Sequence, residues 1–338
     1  MIGTTTVAKE GMEIDAQTRS QVVEILSNDL VENYVFPDVA KQIVSELESS
    51  KSDYTEITNA EEFADAITKI IQSINNDRHL RVIHSVRKIP VRQKRSEPTE
   101  EEVRRDQAEM ARKNYGFESV KRLEGNIGYI ELRGFRDHEL GEDTVAAAMS
   151  FIHNTDALII DLRQNGGGSP KMVALISSYF FGDQKVHLNS IYWRKGDTTE
   201  NFFTNESVMG KKYGNKDIYI LTSSQTGSAA EGFSYHLRNL DRATIVGETT
   251  RGAAHPGDRF RLHEHFSAFI ATGRAINPIT KTNWEGVGVK PHISTSKEAA
   301  LDTAIVSALE KKVAGITDER RKASIERLIV SAKKKLGN

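Results

Sequence analysis

The chain has 338 residues, 46 basic against 47 acidic side chains and no cysteine. A net charge near zero argues against a nucleic-acid binder relying on counterion release, and the lack of thiols excludes cysteine catalysis, disulfides and thiolate metal sites. No run of about 18 apolar residues is present to span a membrane, and no apolar stretch with a cleavage site opens the chain. It reads as soluble, either cytoplasmic or exported with a signal peptide absent from this sequence.

The first hundred residues have helical periods. Val23, Leu26, Leu30 and Tyr34 follow a helical spacing, and Pro37-Asp38 opens a second pattern through Ile43 and Leu47. Asn59-Ala-Glu-Glu62 is a capping box before Phe63, Ala66, Ile67, Ile70, Ile71 and Ile74, an amphipathic face. Leu80 to Ile89 alternates loosely and predicts a short strand or hairpin arm. Residues 92–105 are crowded with charge of both signs and lead through a Thr99 cap into a helix. Residues 12–118 thus read as a helical N-terminal domain with a charged connector.

From Val120 short β-rich runs alternate with helices. The strands are Gly128–Leu132, Ala157–Asp161, Ile218–Leu221 and Thr244–Gly247; the helices are Thr144–His153, Lys171–Phe180 and Ala229–Leu240. Arg259–Leu262 and Phe266–Thr272 predict a hairpin or edge strands, and Leu301–Val313 a helix. An α/β domain over 119–316 and a final helix over 317–338, with Ile325, Leu328 and Ile329 on one face, complete the expected organisation.

Four segments carry side chains suited to chemistry. Ser228 stands where the strand at 218–221 gives way to a helix, beside N–H groups that could stabilise an oxyanion; Ser228-Ala-Ala-Glu231 also reads as a plain capping box. His79 sits in a polar turn after the isoleucine-rich helix, as a cleft residue or an ordinary loop histidine. Asp161-Leu-Arg-Gln-Asn-Gly-Gly-Gly168 follows a strand, and its glycines suit an oxyanion hole or anion nest; the spacing of a P-loop or a dinucleotide fingerprint is missing. Glu285, among glycines, could orient an imidazole or merely belong to a turn. His263-Glu-His265 shows no third ligand, so neither metal nor cofactor is called for.

Together these segments resemble the S41 family of serine peptidases, the C-terminal-processing proteases. The similarity is greatest to its branch of tricorn-core and interphotoreceptor retinoid-binding protein modules. The matching stretches are Asp77-Arg-His79, Gly128-Tyr-Ile130 with Phe135, Asp161–Gly168, Thr226-Gly-Ser-Ala-Ala-Glu231, Val246–Gly252 and Glu285–Val289, in family order. The resemblance implies an α/β (α+β) fold: a crotonase-like domain of stacked ββα units preceded by a small helical N-terminal domain. It also implies that Ser228 is the nucleophile, and that the N–H of Ala229 and that of Gly167 or Gly168 form the oxyanion hole.

Two departures shape the expected function. The processing branch has a lysine base where this chain has Ala253, whereas His79 and Glu285 stand in the motifs from which the tricorn-like branch draws a histidine and a glutamate. Residues 82–125 are too few and too charged for the PDZ domain that processing proteases insert there. The expectation is a serine endopeptidase with a Ser228, His79, Glu285 triad, acting on extended or unfolded polypeptides that could pair with an edge strand. The alternative is a non-catalytic module holding a retinoid or fatty acid on the same scaffold; a thioester-processing enzyme fits the serine and histidine less well. Neither nucleic acid nor a membrane segment is implied, and oligomeric state is left open.

Overall fold

The computed structural model describes residues 11–75, 77, 79–91 and 99–337. Part of the charged connector (92–98), Arg78 of the histidine turn and the first ten residues lie outside the described residues. In chain order, helices α1 (Ala16–Asn33), α2 (Pro37–Ser49) and α3 (Ala60–Gln72) are followed by strand β1 (Arg81–His84), helix α4 (Glu100–Arg112) and strands β2 (Phe117–Leu123) and β3 (Ile127–Leu132). Then come α5 (His138–Ile152), β4 (Ala157–Asp161), α6 (Pro170–Ser178), β5 (His187–Trp193), β6 (Thr198–Phe203), β7 (Asp217–Thr222) and α7 (Ala229–Asn239). The chain continues through β8 (Thr244–Gly247), β9 (Gly257–Arg261), β10 (Phe266–Ala271), β11 (Gly273–Ile276), β12 (Ile293–Ser294), α8 (Ala300–Val313) and α9 (Glu319–Lys335). Strands β11, β5 and β6 form a three-stranded sheet in that order.

Two compact units divide the chain. One takes in the described residues of Met1–Ser96 with Trp193–Thr198 and His255–Arg274; the other comprises Glu97–Tyr192, Thr199–Ala254 and Ala275–Asn338. In the first, Asn59 Oδ1 caps α3 by accepting the N–H groups of Glu61 and Glu62 (3.0 and 3.1 Å), as its capping sequence requires. The helix buries Phe63, Ile67 and Ile71 completely. Phe63 meets Phe266 of β10 edge-on at 5.8 Å, and β1, β10 and β9 form an antiparallel sheet in which Val82 lies opposite Ala268. Each such fully buried apolar side chain contributes about 1.5–3 kcal/mol.

The second unit is built on a six-stranded sheet of order β12-β8-β7-β4-β3-β2. Strands β3, β4, β7, β8 and β12 run parallel, and β2 pairs antiparallel with β3. Period-two alternation assigns each strand's side chains to two cores. Ile130, Leu132, Leu158, Ile160, Ile218, Ile220 and Ile245 pack with α5, α6 and α7; Ile127, Tyr129, Ile159, Tyr219, Leu221 and Val246 pack with α8 and α9. Burial on both faces explains why Ala157–Ile160 is apolar throughout.

This topology corrects the expected crotonase-like ββα arrangement. Successive parallel strands β3, β4, β7 and β8 are linked through α5, α6 and α7, each step adding a strand in the same direction across the sheet. Crossovers of one hand then place those helices on one face, which α5–α7 share, so the unit is a mixed α/β layer built on βαβ crossovers. The alternation of strand and helix carries this architecture; the stacked ββα unit came from the motif resemblance and is not what these residues build.

Candidate active site

Three loops leave the carboxyl ends of adjacent parallel strands β4, β7 and β8, the edge at which open α/β sheets bind ligands. The β7 loop ends at Ser228, which is exposed and adopts φ 53°, ψ −122° immediately before α7. Helix N-caps are normally extended, and a non-glycine residue with such a backbone costs about 1–3 kcal/mol unless its surroundings enforce it.

Glu231 is the enforcing group. It is wholly buried, and its carboxylate accepts the Ser228 N–H (2.9 Å), the Thr250 hydroxyl (2.5 Å) and the N–H groups of Gly252 (2.6 Å) and Ala253 (2.9 Å). Burial pushes this carboxyl above the usual range, and the four donors oppose that shift. The acidic end of the expected capping box therefore ties the serine turn to the β8 loop, a role that its spacing from Ser228 did not reveal.

The β4 loop supplies the glycine turn. Asn165 is buried; its Nδ2 donates to the Leu132 carbonyl (2.9 Å), its Oδ1 accepts the Gly167 N–H (2.8 Å), and its carbonyl accepts the Gly227 N–H (3.0 Å). Gly167 (φ 110°) packs so closely that a Cβ there would lie 2.7 Å from Ser228 Cβ and 2.9 Å from the Ala229 nitrogen. Gly168 (φ 140°) has no room for a side chain against the Phe135 carbonyl. Among the described residues the N–H groups of Gly168 and Ala229 reach no acceptor, whereas that of Gly167 is taken by Asn165. Of the two glycine N–H groups considered from sequence, Gly168 is the one left open.

Ala253, where the processing branch has lysine, is buried, and its carbonyl accepts the Trp284 indole N–H (3.1 Å). Glu285, the next residue after that tryptophan, accepts the Ala254 N–H on Oε2 at 2.6 Å. The larger unit thus brings together Ser228, Ala229 and Gly167 and anchors Glu285 to the β8 loop.

His79 belongs to the other unit. It is half-buried, its ring lies against Phe269 at 5.4 Å, and its backbone N–H donates to Asp77 Oδ1 at 3.0 Å. Asp77 is the residue that forms this turn. It is buried, accepts the Tyr34 hydroxyl on Oδ2 at 2.8 Å, and faces His255 Nδ1 at 3.8 Å. Burial alone would raise its carboxyl, but His255, Tyr34 and the His79 N–H together hold it below the usual aspartate range. His255, which no motif signalled, is buried against Phe36 at 5.4 Å. His265 Nδ1 lies 2.9 Å from the Ser85 carbonyl.

Residues 126–295, which include Ser228, the glycine turn and Glu285, match the family model of peptidase family S41. The chain belongs to peptidase family S41. A probable CtpA-like serine protease of Staphylococcus haemolyticus is 28% identical over 128 residues, 38% of this chain and 25% of that protein. Residues 8–115 of this S41 chain match a second model, the N-terminal domain of peptidase S41 in eukaryotic IRBP. A carboxy-terminal-processing protease of Bartonella bacilliformis is 28% identical over 178 residues, which are 51% of this chain and 39% of that protein, so the match spans well under half of that relative. Among solved structures, one described as a putative peptidase from Parabacteroides merdae superposes with TM-score 0.64 at 18% identity, covering 88% of this chain and 99% of that one. Mature CPAF gives TM-score 0.58 at 13% identity over 94% and 97%. Both likenesses are of fold, and they agree with the mixed α/β topology in place of the crotonase-like one. Among the described residues no helix is long and apolar enough to cross a membrane.

Proposed function

We propose that this S41 chain is a serine endopeptidase cutting extended or unfolded polypeptides, with Ser228 as nucleophile, His79 as general base and Glu285 orienting the imidazole. His79 takes the Ser228 proton as the hydroxyl attacks the peptide carbonyl. The Gly168 and Ala229 N–H groups receive the oxyanion, and the imidazolium then protonates the leaving amine. Water, deprotonated by the same imidazole, attacks the acyl-enzyme, and Ser228 recovers its proton.

The observation that carries this reading is the exposed Ser228 at positive φ, with its turn held by a buried carboxylate and two open N–H groups in the adjoining loops. A helix cap needs no such backbone, since an extended serine caps equally well. The test is hydrolysis of a fluorescent denatured protein by the parent and by Ser228→Ala, His79→Ala and Glu285→Gln. The first two variants are expected to be inactive and the third strongly impaired; equal cleavage by the parent and Ser228→Ala removes the assignment.

A second reading, a binder of a retinoid or fatty acid, is favoured by the match of residues 8–115 to the IRBP domain. It requires saturable binding of such a ligand, unchanged in Ser228→Ala, and no hydrolysis by the parent.

A further inference from the structure

Within the smaller unit the Asp77 carboxylate is used on both of its oxygens. Oδ1 accepts the backbone N–H of His79 (3.0 Å) and of Leu80 (3.3 Å), so it shapes the turn that carries the histidine. Oδ2 accepts the Tyr34 hydroxyl and faces His255 Nδ1 at 3.8 Å. Asn75 donates in turn to the Tyr34 hydroxyl. Tyr34, Asp77 and His255 are 0%, 1% and 6% exposed, so water has little part in the balance of charge. Phe36 closes the group, edge-on to both Tyr34 (5.9 Å) and His255 (5.4 Å), with the Arg274 guanidinium over the Phe36 ring at 5.5 Å from its centre.

A carboxylate in such a place has lost its hydration and needs partners for its charge as well as for its lone pairs. The two N–H groups and the phenol supply hydrogen bonds, and the His255 imidazole faces the same carboxylate at 3.8 Å. We propose that His255 is a positioning residue for His79: through Asp77 it keeps the turn at 77–80 in one conformation, leaving the His79 ring on Phe269 to act as base. This rests on His79 being the base of the proposed reaction. Without His255 the carboxylate is under-compensated. It then either takes up a proton, weakening it as an acceptor for the turn, or swings toward water and releases the turn outright.

The experiment joins two readouts on the full chain. Amide hydrogen exchange is followed at His79 and Leu80, with Ile67 and Ile71 of α3 as folding controls, and steady-state hydrolysis of a peptide substrate is measured in the parent, His255→Gln and Tyr34→Phe. In His255→Gln, protection at His79 and Leu80 is expected to fall roughly 10-fold or more while α3 is unchanged. kcat should drop roughly 10- to 100-fold with KM nearly constant, because a misplaced base impairs the step without altering substrate binding. Tyr34→Phe, which removes one hydrogen bond to the same carboxylate, should move both readouts the same way by less. Unchanged exchange at His79 and Leu80 in His255→Gln overturns the inference on its own, whether or not the chain is a peptidase. Loss of hydrolysis to the level of Ser228→Ala with unchanged exchange also overturns it and makes His255 itself catalytic. A loosened turn with intact hydrolysis instead removes His79 as base, and the positioning role goes with it.

Discussion

Replacing Glu231 by glutamine tests whether one buried carboxylate assembles the serine turn. Its Oε2 accepts from two backbone N–H groups, Ser228 and Ala253, and its Oε1 from the Thr250 hydroxyl and the Gly252 N–H. The amide is best placed with its oxygen on the Oε2 side. Its NH2 then meets the Thr250 hydroxyl, which can accept as it already does from the Val289 N–H (2.7 Å), and the Gly252 N–H, which cannot. One buried N–H is left unpaired, a loss of about 1–3 kcal/mol. For a unit of this size that is a fall in melting temperature of about 2–12 °C. Glu231→Ala leaves all four donors unpaired, about 4–12 kcal/mol by the same reckoning, which is comparable with the whole stability of a domain, and should not fold. Thermal unfolding followed by circular dichroism measures both. Glu231→Gln melting within about 1 °C of the parent, or a well-folded Glu231→Ala, would refute the role given to this carboxylate.

Three more outcomes follow from the same structure. Gly167→Ala places a Cβ 2.7 Å from Ser228 Cβ at φ 110°, and should both lower the melting temperature and reduce kcat roughly 100- to 1000-fold as the oxyanion donors shift; unaltered kinetics would show that this contact does not shape the site. Asp77 is held below its usual range, so its contribution is present above about pH 4 and is lost as pH falls through the lower folded value; Asp77→Asn should be less stable at neutral pH and show a flatter acid limb in urea titrations. A limb as steep as the parent's would count against the hold of these partners on the Asp77 carboxylate. His236 is buried beside Trp284, and burial pushes it down to about 3. It stays neutral when folded while the unfolded chain gains a proton below about pH 6.5, so stability should decline from there downward, and less so in His236→Phe.

Local patterning carried the helices and the parallel strands. The apolar β-rich runs Ala157–Asp161 and Ile218–Leu221 and the cap at Asn59 correspond directly to β4, β7 and α3. Pairings between distant segments were not legible: Arg81 lies opposite Phe269 in the β1–β10 ladder, and nothing near either residue encodes the other. Strands β5 and β6 were not among the elements expected from sequence, and Thr198–Phe203 is exposed over most of its length and lacks an apolar alternation. At the site, the resemblance supplied Ser228, His79 and Glu285 as candidates, while the crotonase-like architecture it implied gave way to the βαβ order already visible in the strand and helix pattern. Glu231 looked like half of a cap, since its other partners, Thr250 to Ala253, arrive from the next loop. His255 follows two alanines and precedes a proline, a setting that betrays neither burial nor an aspartate 178 positions earlier at residue 77, 3.8 Å away.

The central claim is that Ser228 is an activated nucleophile. A fluorophosphonate probe followed by peptide mapping addresses it directly, because such a probe attaches only to a hydroxyl made reactive by its surroundings. One equivalent should be found on Ser228 in the parent, none in Ser228→Ala, and the attachment should be much slower in His79→Ala. An unmodified Ser228 in a protein that still cleaves peptides, or equal labelling with and without His79, would contradict the account.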